Sequence, residues 1–468
     1  MQLHKNSQLA SFFEPRGVAV IGSMREWGEG YTVIRNMLDF GFPGGIYPVS
    51  RSSAQVLGLK AYPTVNDIND AVDLAVVVTP APTVLGLIEE CGRKGITAVI
   101  VVTEGFAEAS PEGAVLQRQL VETARRYGLR LLGPNTLGVL DTASGLVTGP
   151  YFHSGNKPPG GGIGYCSQTG LLTFGVYPIK DKAYPIDKMC DFGNKCDVNE
   201  LDLLPYLAND PRIKVIVMHL EDIRDGQKFI EVAKLAVARK PVLILKPGSS
   251  EVGARAASSH TGSLAGDDRV YGNAFRQAGV IRLKTWQEFW EIPRTLSLQP
   301  LPIGNRIAII TATGGAGVLL TDTSVENGLA PAAFTASTLA HLEEISPRLA
   351  RNPVDVGPLM SVLEAPFSIY DQVVPIVLAD SNVDCAAIVC HLGPPIVKVF
   401  SELVHRLSSI AKPITIFGYG IDLHEMEHSA RQLEAIGFPT YLDLESAARA
   451  LGIGAAYSRI RARLETQA

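Results

Sequence analysis

The sequence predicts an α/β chain of three doubly wound segments, and three observations predict it. Short, continuous apolar runs stop at glycine, proline or small polar residues, as strands buried on both faces of a parallel sheet do. Helix-length stretches of mixed polarity separate these runs, which is the alternation of βαβ units with right-handed crossovers. Two Gly/Pro-rich breaks, one around residues 145–162 (running into HSGNKPPGGGIG) and one at Ser297–Asn305 (SLQPLPIGN), divide the 468 residues into spans 1–148, 149–300 and 301–468.

In the first span Val18–Ile21 forms the opening strand, stopped by Gly22-Ser23. Tyr31–Phe40 reads as a helix and Gly45–Val49 as the next strand. Further strands are Asp73–Val78 running into Thr79-Pro80, Ala98–Val102 running into Thr103-Glu104-Gly105, and Arg130–Leu132 running into Gly133-Pro134-Asn135. Ligands of such sheets lie beyond the carboxyl ends of the strands, where Gly22, Pro80, Glu104 and Asn135 fall. The second span restarts with a strand at Ile163–Cys166, a turn at Ser167–Gly170 and a helix after it, followed by strands at Lys214–His219 and Pro241–Leu245. The third opens the same way: Arg306–Ile310 runs into TATGGAG (Thr311–Gly317) and a helix, with later strands at Cys385–His391 and Pro413–Phe417.

Composition narrows the function classes. Hydrophobic residues at 46% and charged residues at 19% describe a globular chain. A net charge of −5 without a Lys/Arg block argues against nucleic acid as partner. Six cysteines with no CxxC pair read as reduced thiols. The segment MQLHKNSQLASFFEPRG lacks an apolar signal core, and no run approaches the ~20 apolar residues that span a bilayer. The expectation is a cytoplasmic protein without membrane contact.

Four places carry candidate chemistry. GSMREWGEG (Gly22–Gly30) puts glycines at a strand-to-helix turn, where backbone N–H groups and the helix end favour a phosphate. Its spacing is not GxGxxG, and Ser50-Arg51 stands where a ribose-binding acid would be, so a phosphate suits it better than a dinucleotide. SQTG (Ser167–Gly170) and TATGGAG (Thr311–Gly317) each set small residues between strand and helix, as an anion nest does. A tight turn serving only packing needs the same residue types at all three places. The fourth place is SSHTGSLAG (Ser258–Gly266), where His260 has only small neighbours, an unusual setting for a core histidine. A neutral imidazole, with its ordinary pKa near 6.5, attacks phosphorus at neutral pH. Such a nucleophile needs a carboxylate to fix its tautomer, and Glu221, just past a strand end, is the candidate.

The stretches FGNKCDVNELDLLPYL, KVIVMHLEDIRDGQKF, KPGSSEVGARAASSHTGSLAG and AFRQAGVIR together resemble the α subunit of ADP-forming acetyl-CoA synthetases, members of the succinyl-CoA synthetase superfamily. VAVIGS, GGIYPVS, GLKAYPTV, VDLAVVVTPA, TEGFAE and LLGPNTLGV are similar to its CoA-binding domain; NRIAIITATGGAGVLLTD and RNPVDVG are similar to its third domain. The resemblance implies a Rossmann-like CoA-binding domain over 1–148, then a flavodoxin-like ligase domain carrying the phosphohistidine loop over 149–300, then a second flavodoxin-like ligase domain over 301–468.

It also implies a relay: ATP and a small carboxylic acid give an acyl phosphate, a histidine carries the phosphoryl group, and CoA attacks the acyl group. His260 corresponds to that histidine and Glu221 to its orienting carboxylate. Ser167, Gln168, Thr169 and Gly170, with Gly314, Gly315, Ala316 and Gly317, correspond to the two helix N-termini that hold the phosphate. Gly22, Ser23, Arg25, Arg51, Pro80 and Glu104 correspond to the CoA site.

Departures are Cys166 before SQ, SQTG for SQSG, and Thr136 in GPNT for GPNC. Phe174 replaces the tyrosine that succinyl-CoA synthetases carry near the carboxylate, which favours a less polar acid than succinate. No ATP-grasp domain and no GxxxxGK(S/T) loop are in the sequence. The implied enzyme is therefore a hetero-oligomer in which a separate ATP-grasp β subunit holds ATP and Mg²⁺, with no metal on this chain. Two competing readings are a non-catalytic CoA- or acyl-CoA-binding regulatory protein and a dinucleotide-dependent oxidoreductase. The intact His260, Glu221 and nests argue against the first, the missing GxGxxG against the second.

Overall fold

The computed structural model describes residues 2–150, 160–170, 184–253, 255, 267–407 and 409–467. The helix expected after Gly170, Phe174 and His260 lie outside the described residues. Two compact units divide the chain, Met1–Lys284 and Thr285–Ala468.

In the first unit, α1 (Gln2–Phe13) precedes β1 (Gly17–Gly22), α2 (Glu29–Asp39), β2 (Gly45–Val49), β3 (Leu74–Val78), α3 (Ala81–Lys94), β4 (Ala98–Val101), α4 (Pro111–Tyr127) and β5 (Arg130–Leu132). The five strands form one parallel sheet in the order β2-β1-β3-β4-β5. The inner strands are apolar, β-branched runs too short for helices: Val18, Ala19 and Val20 of β1 and Leu74–Val77 of β3 have no exposed surface, while Gly45–Tyr47 of the edge strand β2 are half-buried. Turn chemistry ends the helices where the sequence changes. Ser110 caps α4 by accepting from the Gly113 N–H, and Gly95 and Gly128 close α3 and α4 in left-handed conformation.

A second sheet follows in the same unit, from β6 (Val139–Asp141), β7 (Leu146–Val147), β8 (Ile163–Ser167), β9 (Ile186–Asp191), β10 (Val215–His219), β11 (Val242–Leu245) and β12 (Ile281–Leu283). Helices α5 (Glu200–Asn209), α6 (Gly226–Val237) and α7 (Asp268–Ala278) join its strands. Its order is β12-β11-β10-β8-β9-β6-β7, with β6 and β7 antiparallel at one edge. Those two edge strands are a finding beyond the sequence reading, which counted residues 139–147 with the first span. They are anchored by Lys188 of β9, 1% exposed, which pairs with Asp141 of β6 and Glu14 after α1.

The segment 194–198 runs beside the end of β5: Asn194, Cys196 and Val198 donate N–H bonds of 2.9–3.1 Å to the carbonyls of Pro134, Gly133 and Leu131. Arg130 of β5 adds bonds of 2.9 Å to both Asp197 and Asp202. The carboxyl edges of the first two sheets are thereby fixed side by side.

The second unit contains α8 (Trp286–Leu298), β13 (Arg306–Thr311), α9 (Gly314–Glu326), β14 (Ala330–Pro331), α10 (Ala336–Ile345), β15 (Val354–Asp355), α11 (Ile369–Ala379), β16 (Cys385–His391), α12 (Pro394–Leu407), β17 (Ile414–Tyr419), α13 (Leu423–Ala435), β18 (Thr440–Tyr441) and α14 (Leu444–Gln467). Its sheet runs β14-β13-β16-β17-β18, with short β15 also pairing β13. Alternate residues feed two cores: Ala308, Ile310, Ala386 and Ile388 on one face, Ile307, Ile309, Ala387 and Val389 on the other. No helix among the described residues is long and apolar enough to cross a membrane.

In each sheet one strand has neighbours on its two sides reached by separate chain connections: β2 and β3 flank β1, β9 and β10 flank β8, and β14 and β16 flank β13. That order creates a crevice at the carboxyl ends of β1 and β3, of β8 and β10, and of β13 and β16. The crevices fall between Gly22 and Val78, between Ser167 and His219, and between Thr311 and His391.

Candidate functional site

A cleft of about 1430 Å³ runs along the carboxyl edges of the first two sheets, within the first unit. The first sheet contributes Pro80 after β3 and Glu104 after β4, and the second contributes Gln168, Thr169, Gly170 and Asp222. Ser23, Arg25 and Arg51 are exposed at the ends of β1 and β2 and do not line it. Gly22 ends β1 at φ +154, and a Cβ there would meet Val78 Cγ2 at 2.5 Å, so glycine lets β1 end this close to β3. The turn beyond it closes with a 2.9 Å bond from the Gly28 N–H to the Arg25 carbonyl, and α2 starts without a side-chain cap. Its first residue, Glu29, lines the cleft; desolvation and the nearby Glu104 carboxylate raise its carboxyl above the usual range.

The TEGFAE stretch is tied down by Glu108, which accepts from the N–H groups of Gly105 (2.6 Å) and Phe106 (3.0 Å) and from the Asn194 amide of the second sheet. Burial pushes this carboxyl up, but the Asn194 and backbone donors outweigh it and hold it below the ordinary range.

On the second sheet, the SQTG turn has a definite job. Ser167 Oγ accepts from the Thr169 N–H (3.0 Å) and donates to its carbonyl (2.7 Å), while the Gln168 N–H donates to the His219 carbonyl (3.1 Å). The buried Gln168 amide clamps the loop after β10. Its Nε2 donates to Asp222 Oδ1 at 2.7 Å, and its Oε1 accepts from the Glu221 N–H at 2.9 Å. Asp222 is held in turn by Lys195, 3.0 Å away, whose Nζ also bonds Glu200 (2.9 Å) and the Asp222 carbonyl (2.8 Å). Burial raises the Asp222 carboxyl, but Lys195 and Gln168 overcome that and keep it ionised. Lys195 adopts φ +50, a backbone cost that such clamped positions near sites carry. Glu221 is thus placed at the crevice by its backbone, through Gln168.

In the second unit the TATGGAG turn repeats the pattern. Thr311 Oγ1 accepts from the Thr313 N–H (3.1 Å) and donates to its carbonyl (2.6 Å), and Ala312 N–H donates across to Val389. Thr313 caps α9 by accepting from Ala316, and Gly317 donates to the Thr313 carbonyl. Among the described residues no acceptor meets the N–H groups of Gly314 and Gly315, so these two face outward at a helix N-terminus, as an anion site requires.

Sequence reasoning did not single out Asp191, Lys195, Lys246 or Tyr271. Asp191 ends β9, lines the cleft, and accepts from Leu137 N–H (2.7 Å) and Gly193 N–H (3.2 Å). Burial raises its carboxyl to about 6, with the Glu221 charge adding to it. Its position as the last residue of a strand was the available signal; its burial was not legible. His219, ending β10, is pushed down to about 3 by burial, with Lys246 and Lys195 adding, so it is neutral at pH 7. Among the described residues no three His, Cys, Asp or Glu side chains gather as metal ligands.

Asp191 gives a pH prediction. A raised carboxyl favours the protonated folded form, so its contribution is fully present below pH ~4 and lost as pH rises through ~6. Its displacement of about two units corresponds to ~3 kcal/mol. Asp191→Asn is expected to gain stability over the wild type between pH 4 and 7, by up to ~3 kcal/mol in denaturant unfolding. A stability difference that does not change with pH would contradict it.

Comparison with known proteins gives a consistent set. A family model described as a CoA binding domain matches residues 16–142, and one described as a succinyl-CoA ligase like flavodoxin domain matches residues 160–296. The alpha subunit of ADP-forming acetate–CoA ligase II from Pyrococcus furiosus is 36% identical over 447 residues, 94% of this chain and 95% of that one. ADP-forming acetate–CoA ligase II from Archaeoglobus fulgidus is 35% identical over 464 residues, 97% of this chain and 67% of that protein. Among solved structures, the dinucleotide forming acetyl-coenzyme A synthetase 1 of Ca. Korarchaeum cryptofilum, in complex with phosphate and ADP, matches with a TM-score of 0.89 at 31% identity, covering 98% of each chain.

Proposed function

This chain belongs to the ADP-forming acetate–CoA ligases, and from that premise we propose that it is the CoA-binding, phosphoryl-carrying subunit of an ADP-forming acyl-CoA synthetase. One observation carries the reading: a single cleft takes in Pro80 and Glu104 of the first sheet together with Gln168–Gly170 and Asp222 of the second. A thiol donor held by the one and a phosphoryl group held by the other share one space.

The net reaction is carboxylate, CoA and ATP to acyl-CoA, ADP and phosphate. A His260 ring nitrogen attacks the γ-phosphorus of ATP, forming an N–P bond as the P–O bond to ADP breaks. A carboxylate oxygen then takes the phosphoryl group, breaking N–P and giving the acyl phosphate. The CoA sulfur attacks the acyl carbon, the C–O bond to phosphate breaks, and the thiol proton leaves with phosphate or solvent. Glu221 orients His260 and offsets the positive charge that develops on its ring. Ser167–Gly170 and, in the second unit, Gly314–Gly317 each offer a phosphate-binding turn. CoA lies against Gly22, Ser23, Arg25 and Arg51 and reaches the cleft past Pro80 and Glu104.

The spans 1–148, 149–300 and 301–468 serve as CoA-binding domain, phosphohistidine-bearing domain and second ligase domain. ATP and Mg²⁺ sit on a separate ATP-grasp subunit, and Phe174 favours an acid less polar than succinate. We place the complex in the cytoplasm, where six unpaired thiols persist.

Reconstitution tests this. The chain alone is expected to form no acyl-CoA from ATP, CoA and acetate, and to do so once an ATP-grasp subunit is added. Acyl-CoA formation by the homogeneous chain alone would overturn the division of labour.

A further inference from the structure

The turn after β1 carries a side chain that its own backbone disfavours. The Gly28 N–H donates to the Arg25 carbonyl at 2.9 Å, which makes Trp27 the third residue of a four-residue turn, and Trp27 takes φ +64. That place suits glycine or asparagine, and a bulky residue there strains the backbone. Trp27 is also 71% exposed, and among the described residues up to 150 no other Phe, Tyr or Trp side chain is exposed. The turn is tightly packed: a Cβ on Gly28 would meet the Arg25 carbonyl oxygen at 3.0 Å, and one on Gly30 the Ser23 carbonyl oxygen at 2.8 Å. A fixed turn thus presents the indole to solvent, which leaves both backbone strain and exposed apolar area in the folded chain. Strain of that kind collects at ligand clamps, and an exposed indole face is a surface that another flat ring covers well.

Its surroundings say which ring. CoA has an anionic adenosine end, with one base, and an uncharged arm that ends in the thiol. On its first-sheet side the cleft is lined by Glu29, Glu104 and Glu108 and, among the described residues, by no lysine or arginine. The uncharged arm can enter there, whereas the phosphates would meet like charge. Cations stand outside it. Arg25 in the turn and Arg51 just past β2 are exposed, and so is Lys60, whose Nζ lies 4.8 Å from the centre of the Tyr62 ring. Tyr62 runs beside the end of β2: its N–H donates to the Pro48 carbonyl and its carbonyl accepts from the Ser50 N–H, both at 2.8 Å. None of the three cations makes an ion pair, and Glu26 is the one carboxylate in the turn. In sequence Trp27 lies between Arg25 and the cleft wall Glu29.

We propose that the Trp27 indole is the platform on which the adenine of CoA stacks, a specificity-determining residue that keeps the charged end of CoA at the rim while the thiol arm enters the cleft. No covalent step is involved. This rests on the CoA-site reading above.

The test titrates the full chain by calorimetry with CoA, with adenosine 3′,5′-bisphosphate, which keeps the ring and lacks the arm, and with 4′-phosphopantetheine, which keeps the arm and lacks the ring. Trp27→Ala is expected to weaken the first two by about tenfold, the size of one lost base–aromatic stack, and to leave the third unchanged. Trp27→Phe, which keeps a ring, holds most of the affinity. Trp27→Gly separates the ring from the backbone. Glycine suits the positive φ, so the melting temperature should not fall, yet affinity should drop as it does with alanine. Fluorescence reads the stack itself. CoA should quench indole emission in the wild type and not in Trp27→Phe, whose remaining indoles, Trp286 and Trp290, belong to the second unit. ADP, the other adenine of the reaction, is the source control and should quench far more weakly than CoA. Wild-type CoA affinity in Trp27→Ala or Trp27→Gly overturns the proposal. So does CoA binding without quenching, an equal loss for 4′-phosphopantetheine, no retention by phenylalanine, or quenching by ADP as tight as by CoA. A wild-type chain that binds no CoA would instead bring down the CoA-site reading, and this proposal with it.

Discussion

His260→Ala is expected to abolish phosphoryl transfer completely, without unfolding the chain. In the sequence His260 stands between Ser258-Ser259 and Thr261-Gly262, so truncating it removes little apolar volume. Chemically the loss is total, because an alanine methyl cannot form an N–P bond. His260→Asn is the sharper control: it keeps a polar side chain, yet an amide nitrogen is no phosphoryl acceptor. Both variants are expected to form no acyl-CoA with the partner subunit and to bind CoA with wild-type affinity, measured by calorimetry. Residual turnover above background in either would place the nucleophile elsewhere.

Glu221→Gln has the second-largest expected effect, a slowing of phosphotransfer by about a hundredfold or more. The glutamine keeps shape and a hydrogen-bond acceptor but loses the charge that, on the proposed relay, offsets the positive ring of a phosphorylated histidine. The substitution leaves the clamp intact, since Gln168 holds residue 221 by its backbone N–H and not by its carboxylate. Single-turnover labelling should slow while CoA affinity stays within error. An unchanged rate would hand the orienting role to another carboxylate. Asp222 is a poor substitute, because Lys195 and Gln168 already occupy it. Asp191, facing the same cleft, would be next.

Much of this was legible in the sequence because the strands are local signals. Val18–Ile21, Leu74–Val78 and Ala98–Val102 are apolar runs of four or five residues, each stopped by glycine or threonine, and each supplies a strand of the first sheet. The glycines and hydroxyl residues of the SQTG and TATGGAG turns marked two of the three crevices before any topology was known. What the sequence could not show depends on contacts between residues far apart. Val139–Asp141 joins the second sheet by antiparallel pairing with Lys188–Cys190, some fifty residues later, and Leu146–Val147 is added to the sheet only through Val139–Asp141. Gln168 read as a phosphate ligand, yet its side chain bridges to Glu221 and Asp222, fifty-three and fifty-four residues away. Asp191 and Lys246 look like ordinary charged residues until burial separates them from solvent.

Mapping the phosphoryl group on the wild-type chain tests the central claim most directly. The chain is incubated with its ATP-grasp partner and labelled ATP, digested at alkaline pH where a phosphoramidate survives, and its peptides are sequenced by mass spectrometry. The account predicts one phosphopeptide spanning His260, carrying the phosphate on the imidazole, stable in base, lost in acid and discharged by ADP. An acid-stable phosphate on Ser258, Ser259 or Thr261, or no phosphopeptide while CoA still binds, would contradict it and leave a CoA-binding protein without the relay.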